Sequence, residues 1–391
     1  MTFSPTGRAI LALGITQIVG YGTLYYAFGV LAIQLTTEVG VSLPFAYGAF
    51  SVALLAGGVV APLAGRAIDR HGAQRVMALG SIAAALTLAL LSQASGPAML
   101  VAALILVEMV SATVLYDAAF AALAQSAGPA RARRAITLMT LIAGFASTLF
   151  WPLTHVLTES LGWRQTYLVF AALHLLVCLP LHLSLARSGA ARDSGAAGGP
   201  APAALLPPER QGKAMFWLAT GFSLAGVVMS ALTVQWVPLL QATGLSPTDA
   251  VAAGACLGPA QVGVRVIDLF FGVRRHPMTM ALLSAGFLAL ALGLLIVLPT
   301  GLWGAMIFAA VFGLANGLTS IVRGTVPLAL FGAEGYAARL GVLAGFRLAS
   351  SAMAPFALSL ALVSLGADIT VALAFGVTLA AVMALAMVPR R

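Results

Sequence analysis

The chain has 391 residues, of which 61% are hydrophobic and only 8% charged. A soluble domain carries about 25% charged residues, so water is excluded as the solvent for most of this surface and lipid takes its place. The net charge of +9 raises nucleic acid as a partner, but the placement of the basic residues, given below, argues against it.

Apolar stretches of about 20 residues recur along the whole length, each long enough to cross a bilayer as a helix. The alternating polarity over about 10 residues that marks a membrane β-barrel is absent. The expected fold class is an all-α integral membrane protein with twelve transmembrane helices in two pseudo-symmetric six-helix bundles. The predicted spans are 9–35, 45–67, 76–93, 98–124, 135–158, 163–186, 213–241, 247–271, 277–298, 302–328, 338–364 and 367–388. Helices 4, 7, 10 and 11 are the ones expected to be interrupted or tilted.

The first run follows Arg8 and lasts to about Leu35. It is too long for a signal-peptide core and no small-residue cleavage site follows it, so it is expected to stay as a helix. Gln17, Tyr21 and Tyr25 lie four and eight apart on it and share a face, and Tyr26 follows. They are candidates to line a central cavity, as are Tyr116, Gln235, Gln261 and Asn316; any of them can equally bond a neighbouring helix. Between helices 2 and 3, residues 65–75 read G-R-A-I-D-R-H-G-A-Q-R, a dense basic cluster with one acid in an otherwise apolar chain.

Helix 4 carries Glu108 and Asp117. A charge at the bilayer centre costs about 2.5–3.5 kcal/mol on insertion scales, so such residues face the bundle interior, pair, and mark a pathway. Nine steps at about 100° bring the two acids to one general side, roughly 13 Å apart along the axis. Glu108, with no basic residue near it in sequence, is the leading candidate for proton coupling, with Asp117 second. Trp151-Pro152 on helix 5 has the form of a kink. His155 and His174 stand singly in spans and are expected to be packing residues. Cys178 and Cys256 are expected to be buried small apolar groups, with no disulfide and no metal site.

Residues 187–212 are rich in Gly, Ala and Pro and form a linker with no core pattern. They divide the chain into a bundle at 1–186 and a second at 213–391. In the second half, Arg265 lies on helix 8 with Asp268 three residues on, Gly313-x-x-x-Gly317 and Arg323 lie on helix 10, and Arg347 lies on helix 11. The glycine pair has the form of a close-packing device. A guanidinium inside the membrane either pairs across helices or awaits an anion, and its fork suits a carboxylate. Both readings stand for Arg347, and for Arg265 with Asp268 as local partner.

Sixteen of the twenty basic residues, among them Arg66, Arg70, Arg75, Arg131, Arg133, Arg134, Arg192, Arg274, Arg390 and Arg391, fall at one set of span ends, and only Arg164 falls at the other. By the positive-inside rule both termini are expected in the cytoplasm. The basic excess is then a topology signal, and no nucleic-acid partner is expected. The halves also echo each other. G-R-A-I-D at 65–69 matches V-R-V-I-D at 264–268, and L-I-A-G-F at 141–145 matches V-L-A-G-F at 342–346. Weak symmetry between two halves is how many secondary transporters are built, with the substrate site at the midplane.

Twelve spans, a central linker and the 65–75 loop resemble the major facilitator superfamily, over essentially the whole chain. The family pattern G-x-x-x-D-R-x-G-R-R is met at Gly65, Asp69, Arg70, Gly72 and Arg75, with Gln74 in place of one basic residue. The resemblance implies alternating access, with this loop, Asp117, Arg323 and Asp268 as gate elements and Asp117 paired with Arg323 or Arg347 as an inner gate. In such a latch Asp69 accepts hydrogen bonds from the start of a neighbouring helix and pairs with arginine. Glu108 stands near the place where the superfamily often has an arginine, and the antiporter pattern of helix 5 is absent.

A finer resemblance is to bacterial relatives of monocarboxylate and oxalate transporters. G-Y-G-T-L-Y-Y at 20–26 is similar to their Gly-aromatic-Gly core, without its preceding acid and final tryptophan. Arg265 and Arg347 stand where that branch places carboxylate-binding cations, and Gln261 stands where it has an aspartate. This resemblance implies a monomeric secondary transporter of a small organic anion, coupled to protons and needing no cofactor, in a bacterial inner membrane. The alternative is efflux of sugar or drug-like compounds by the same fold. An enzyme is not expected, because the histidines at 71, 155, 174, 182 and 276 are scattered.

Overall fold

The computed structural model of the chain describes residues 4–188, 205–271, 275–298 and 301–389. Among the described residues every regular element is helical, and ten stretches are long and apolar enough to cross a membrane. Two of the ten, Arg131–Leu185 and Tyr336–Ala386, are broken by a glycine in left-handed backbone, Gly162 (φ 80°) and Gly366 (φ 81°). Counting each of these as two gives twelve spans. They are α1 (Pro5–Val39), α2 (Leu43–His71), α3 (Ala73–Ser92), α4 (Pro97–Gly128), α5 (131–161), α6 (163–185), α7 (Pro208–Val234), α8 (Thr248–Phe271), α9 (Pro277–Val297), α10 (Leu302–Phe331), α11 (336–365) and α12 (367–386).

The turns between spans follow local chemistry. Ser4 and Ser42 cap α1 and α2 by accepting from Gly7 N and Phe45 N, each with proline in the first helical turn. Most of the predicted linker, and Arg192, Arg274, Arg390 and Arg391, lie outside the described residues. Helix α7 already begins at Pro208.

The interruptions are more numerous than expected. Helix α4 breaks at Leu115, which is extended (φ −81°, ψ −166°). Helix α7 stops at Val234, and a short helix Trp236–Ala242 follows. Helix α11 breaks after Ser351. Helix α10, by contrast, runs unbroken over 30 residues with Pro327 inside it. Breaks that were not expected occur in α5 around Gly144 and in α8 between Gly254 and Leu257. The α5 break precedes Pro152 by two turns, so the Trp151-Pro152 pair is not where the helix is interrupted. Two single π-turns, Tyr21–Tyr26 in α1 and His174–Cys178 in α6, widen helices without breaking them.

The contacts divide the chain into two compact units. One holds Met1–Ala203 with Gly332–Gly345, the other Ala204–Phe331 with Phe346–Arg391. The core of the first includes Leu31, Leu35, Trp163, Tyr167 and Phe170. In the second, Trp236 stacks on Phe308 at 5.1 Å and on Phe312 at 5.9 Å, and its Nε1 donates to Ala250 O at 3.0 Å. Many large apolar side chains point outward, Val363 at 86% and Leu176 at 75% exposure among them, as a lipid-facing surface requires.

Candidate functional site

The loop between α2 and α3 is built around Gly72. Its backbone is at φ 85°, a conformation that L side chains rarely adopt, and its N–H closes α2 on Ile68 O. The next residue, Ala73, donates its N–H to Gln125 Oε1 at 2.9 Å, while Gln125 Nε2 reaches Ile68 O at 3.5 Å. Gln125, on the last part of α4, thus ties the end of α2 to the start of α3.

Asp69 uses both carboxylate oxygens on one helix start. Oδ1 accepts from Ala337 N at 3.1 Å and Oδ2 from Ala338 N at 2.8 Å. These are N–H groups of the first turn of α11, which have no partner within their own helix, and the helix dipole favours an anion there. The approach is possible because Gly65 has no side chain: a Cβ would lie 2.2 Å from Ala337 O. Farther along, a Cβ on Gly341 would lie 2.3 Å from Ala61 O, and one on Gly345 2.7 Å from Gly58 O. Small residues on both helices therefore bring the two backbones together along two turns. The expected pairing of Asp69 with arginine is not found among the described residues; both oxygens accept from backbone N–H groups instead. Arg70 and Arg75 are exposed.

The same unit holds the polar face of α1. Gln17 is fully buried, and its Nε2 donates to Val114 O at 2.8 Å. That carbonyl is the one released by the α4 break at Leu115. Tyr21 meets Tyr116, just beyond the break, at 4.5 Å. Within the π-turn, Tyr21 and Tyr26 both pack near Tyr25, at 6.4 and 5.4 Å, and Tyr26 meets Trp151 at 6.1 Å. Tyr25 also touches Phe50 and is 38% exposed. The result is one aromatic cluster drawn from α1, α2, α4 and α5. Behind it, Thr23 Oγ1 and His174 Nε2 are 2.8 Å apart, both buried, so the two π-turns are hydrogen-bonded to each other.

Glu108 is buried at 6% exposure, and its Oε1 has no hydrogen-bond partner. Its backbone and Cβ pack on Gly57 of α2. The extended residue Leu115 separates it from Asp117. The two acids therefore do not lie on one straight helix, the geometry from which a shared side was expected. Asp117 is half-buried, two residues beyond the break.

In the second unit Arg265 and Asp268 are both buried, at 5% and 2% exposure, and Arg265 Nε points to Gly317 O at 3.5 Å. The Gly313/Gly317 pair takes α8 at close range: a Cβ on Gly317 would lie 2.7 Å from Gln261 O, and one on Gly313 2.7 Å from Leu257 O. Gln261 and Asn316 are half-buried on these two helices. Arg323 is half-buried on α10. Arg347 is also half-buried, and its stem lies against Gly226 of α7, where a Cβ would be 2.9 Å from its Cγ.

A family model described as "Major Facilitator Superfamily" matches residues 13–355. The chain belongs to this superfamily. Its all-helical, twelve-span fold is that of the superfamily, whose members are transporters, and a multi-pass membrane position and a small-molecule substrate follow. The chain is similar to the crystal structure of the human organic anion transporter MFSD10 (TETRAN), with a TM-score of 0.75 and 16% identity over 98% of this chain and 100% of that one. At that identity the likeness carries the fold. No curated protein matches the sequence.

Two features of this superfamily member were missed by sequence reasoning. Gln125 is one: nothing local marks a glutamine at the end of an apolar helix as the brace of a loop some 50 residues earlier. Arg164 is the other. As the single basic residue at its set of span ends it was noticed only for topology, yet it donates to Ser92 O at 2.7 Å, pairs with Glu38 at 3.4 Å and lies 4.3 Å over the Trp163 ring. It ties the ends of α1, α3 and α6.

Proposed function

We propose that this protein is a secondary active transporter that carries a small organic anion by alternating access, coupled to protons, with both termini in the cytoplasm. The observation that carries the anion reading is Arg347. It is a half-buried guanidinium on a membrane-spanning helix, placed by a glycine on α7, and its fork suits a carboxylate. Arg265, with Gln261 and Asn316 on the facing helices, is a second candidate contact. The similar human protein is an organic anion transporter, which agrees with this reading.

In the proposed cycle, the substrate cavity opens alternately to the two sides of the membrane. Asp69, Gly65, Gly72, Arg70 and Arg75, with Asp117, Asp268 and Arg323, form the gate, and release of the Asp69 clasp on the start of α11 accompanies opening. Glu108 takes and returns the coupling proton.

The test is counterflow in proteoliposomes against a panel of monocarboxylates and dicarboxylates, with and without a pH gradient. Saturable carboxylate flux that Arg347→Ala abolishes and Arg347→Lys partly keeps is expected. Absence of any saturable carboxylate flux overturns the anion reading. A second reading rests on the aromatic cluster at Tyr21, Tyr25, Tyr26, Tyr116 and Trp151: such faces also suit uncharged or drug-like compounds, and efflux of those is the outcome to look for if carboxylates fail.

A further inference from the structure

A cleft of about 270 Å³ opens between α1 and α6 in the first unit. Its walls are mostly apolar, with Leu11 and Ile15 on one side and Leu181 and Leu185 on the other, and Ser184 and Arg8 are its polar groups. From Arg8 to Ile15 is seven residues, about 10 Å along the axis, so the cleft runs two turns inward from a cation into hydrocarbon. Leu11 is 44% exposed, so the cleft is open at the surface of the bundle. Among the described residues Arg8 forms no ion pair.

We propose that this cleft is a binding site for one anionic glycerophospholipid, its phosphate on Arg8 and one acyl chain between α1 and α6. The argument is charge complementarity joined to shape. A guanidinium at a span end with no acid beside it attracts an anionic headgroup. A free phosphate would satisfy the cation but leave the apolar walls uncovered, whereas a phospholipid covers both. The occupant also links the start of α1 to the end of α6.

The test is native mass spectrometry of the full chain released from detergent micelles holding either phosphatidylglycerol or phosphatidylcholine. Wild-type protein is expected to retain one phosphatidylglycerol and to shed phosphatidylcholine. Arg8→Gln should retain phosphatidylglycerol about fivefold less well, the worth of one basic residue at an anionic surface. Arg8→Lys should retain most of it. Equal retention of the two lipids by the wild type overturns the proposal without recourse to any variant. So does undiminished phosphatidylglycerol retention by Arg8→Gln, or thermal stabilisation of the protein by inorganic phosphate alone to the extent seen with the lipid.

Discussion

Asp69 and Ala338 are 269 residues apart in sequence and 2.8 Å apart in space, joined by a hydrogen bond from the Ala338 N–H to the Asp69 carboxylate. With its companion at Ala337 this bond fastens the first turn of α11 to the end of α2. Asp69→Asn keeps the size of the side chain but removes the charge and puts an NH2 donor in place of one accepting oxygen, so one bond is lost and the other weakened. The group is exposed, so the loss should be about 1 kcal/mol, seen as a melting point lower by a few degrees in detergent. Transport should fall by more than this loss of stability accounts for, since the clasp belongs to the proposed gate. A variant with wild-type transport and melting point would remove Asp69 from that role.

Gly65 tests the same junction sterically. A Cβ there meets a backbone carbonyl at 2.2 Å, and backbone cannot rotate aside as a side chain can. Gly65→Val should therefore cost about 1–3 kcal/mol by overpacking and lower the yield of folded protein. Gly286→Val, at a helix position with nothing within 4 Å, serves as the control and should be nearly neutral. Similar melting points for the two variants would contradict the close approach.

Gln17 separates a structural role from a substrate role. Its amide satisfies Val114 O at the α4 break, and removing the donor leaves a buried carbonyl without its partner. Gln17→Leu should lower stability by about 1–3 kcal/mol and loosen the segment around Leu115, measured as faster amide exchange there. If instead the melting point is unchanged while the substrate KM rises, Gln17 serves the ligand and not the break.

Glu108→Gln separates substrate movement from proton coupling. Counterflow requires no net proton transfer, so it should persist near the wild-type rate, while accumulation driven by a pH gradient should disappear. Loss of both activities together would assign Glu108 to packing or binding and take the proton role away from it.

The α4 helix shows where sequence reading stops. Its apolar length was legible, as was the presence of two acids in it. The break between them was not, because V-L-Y at 114–116 contains neither proline nor glycine. The break is sustained from outside, by Gln17 donating to the freed carbonyl and by Tyr21 against Tyr116. The geometric link drawn between Glu108 and Asp117 depended on an unbroken helix and fell with it. In the 65–75 loop the reverse holds. Gly72 needed its left-handed backbone wherever the loop lay, so the motif could be read locally, and only its brace at Gln125 was hidden.

What the chain determines by itself is its solvent and its segmentation. Hydrophobic length, turn residues and the uneven arginines are local properties, and each span must satisfy its own backbone hydrogen bonds in lipid, so twelve helices can be read from the letters alone. Which helices touch, and at which atoms, was decided by tertiary structure. Asp69 finds Ala337 and Ala338 because Gly65, Gly341 and Gly345 let two backbones approach. Thr23 finds His174 because two π-turns face each other. Contacts of this kind join residues 150 to 270 positions apart, where no periodicity in a single sequence connects one to the other.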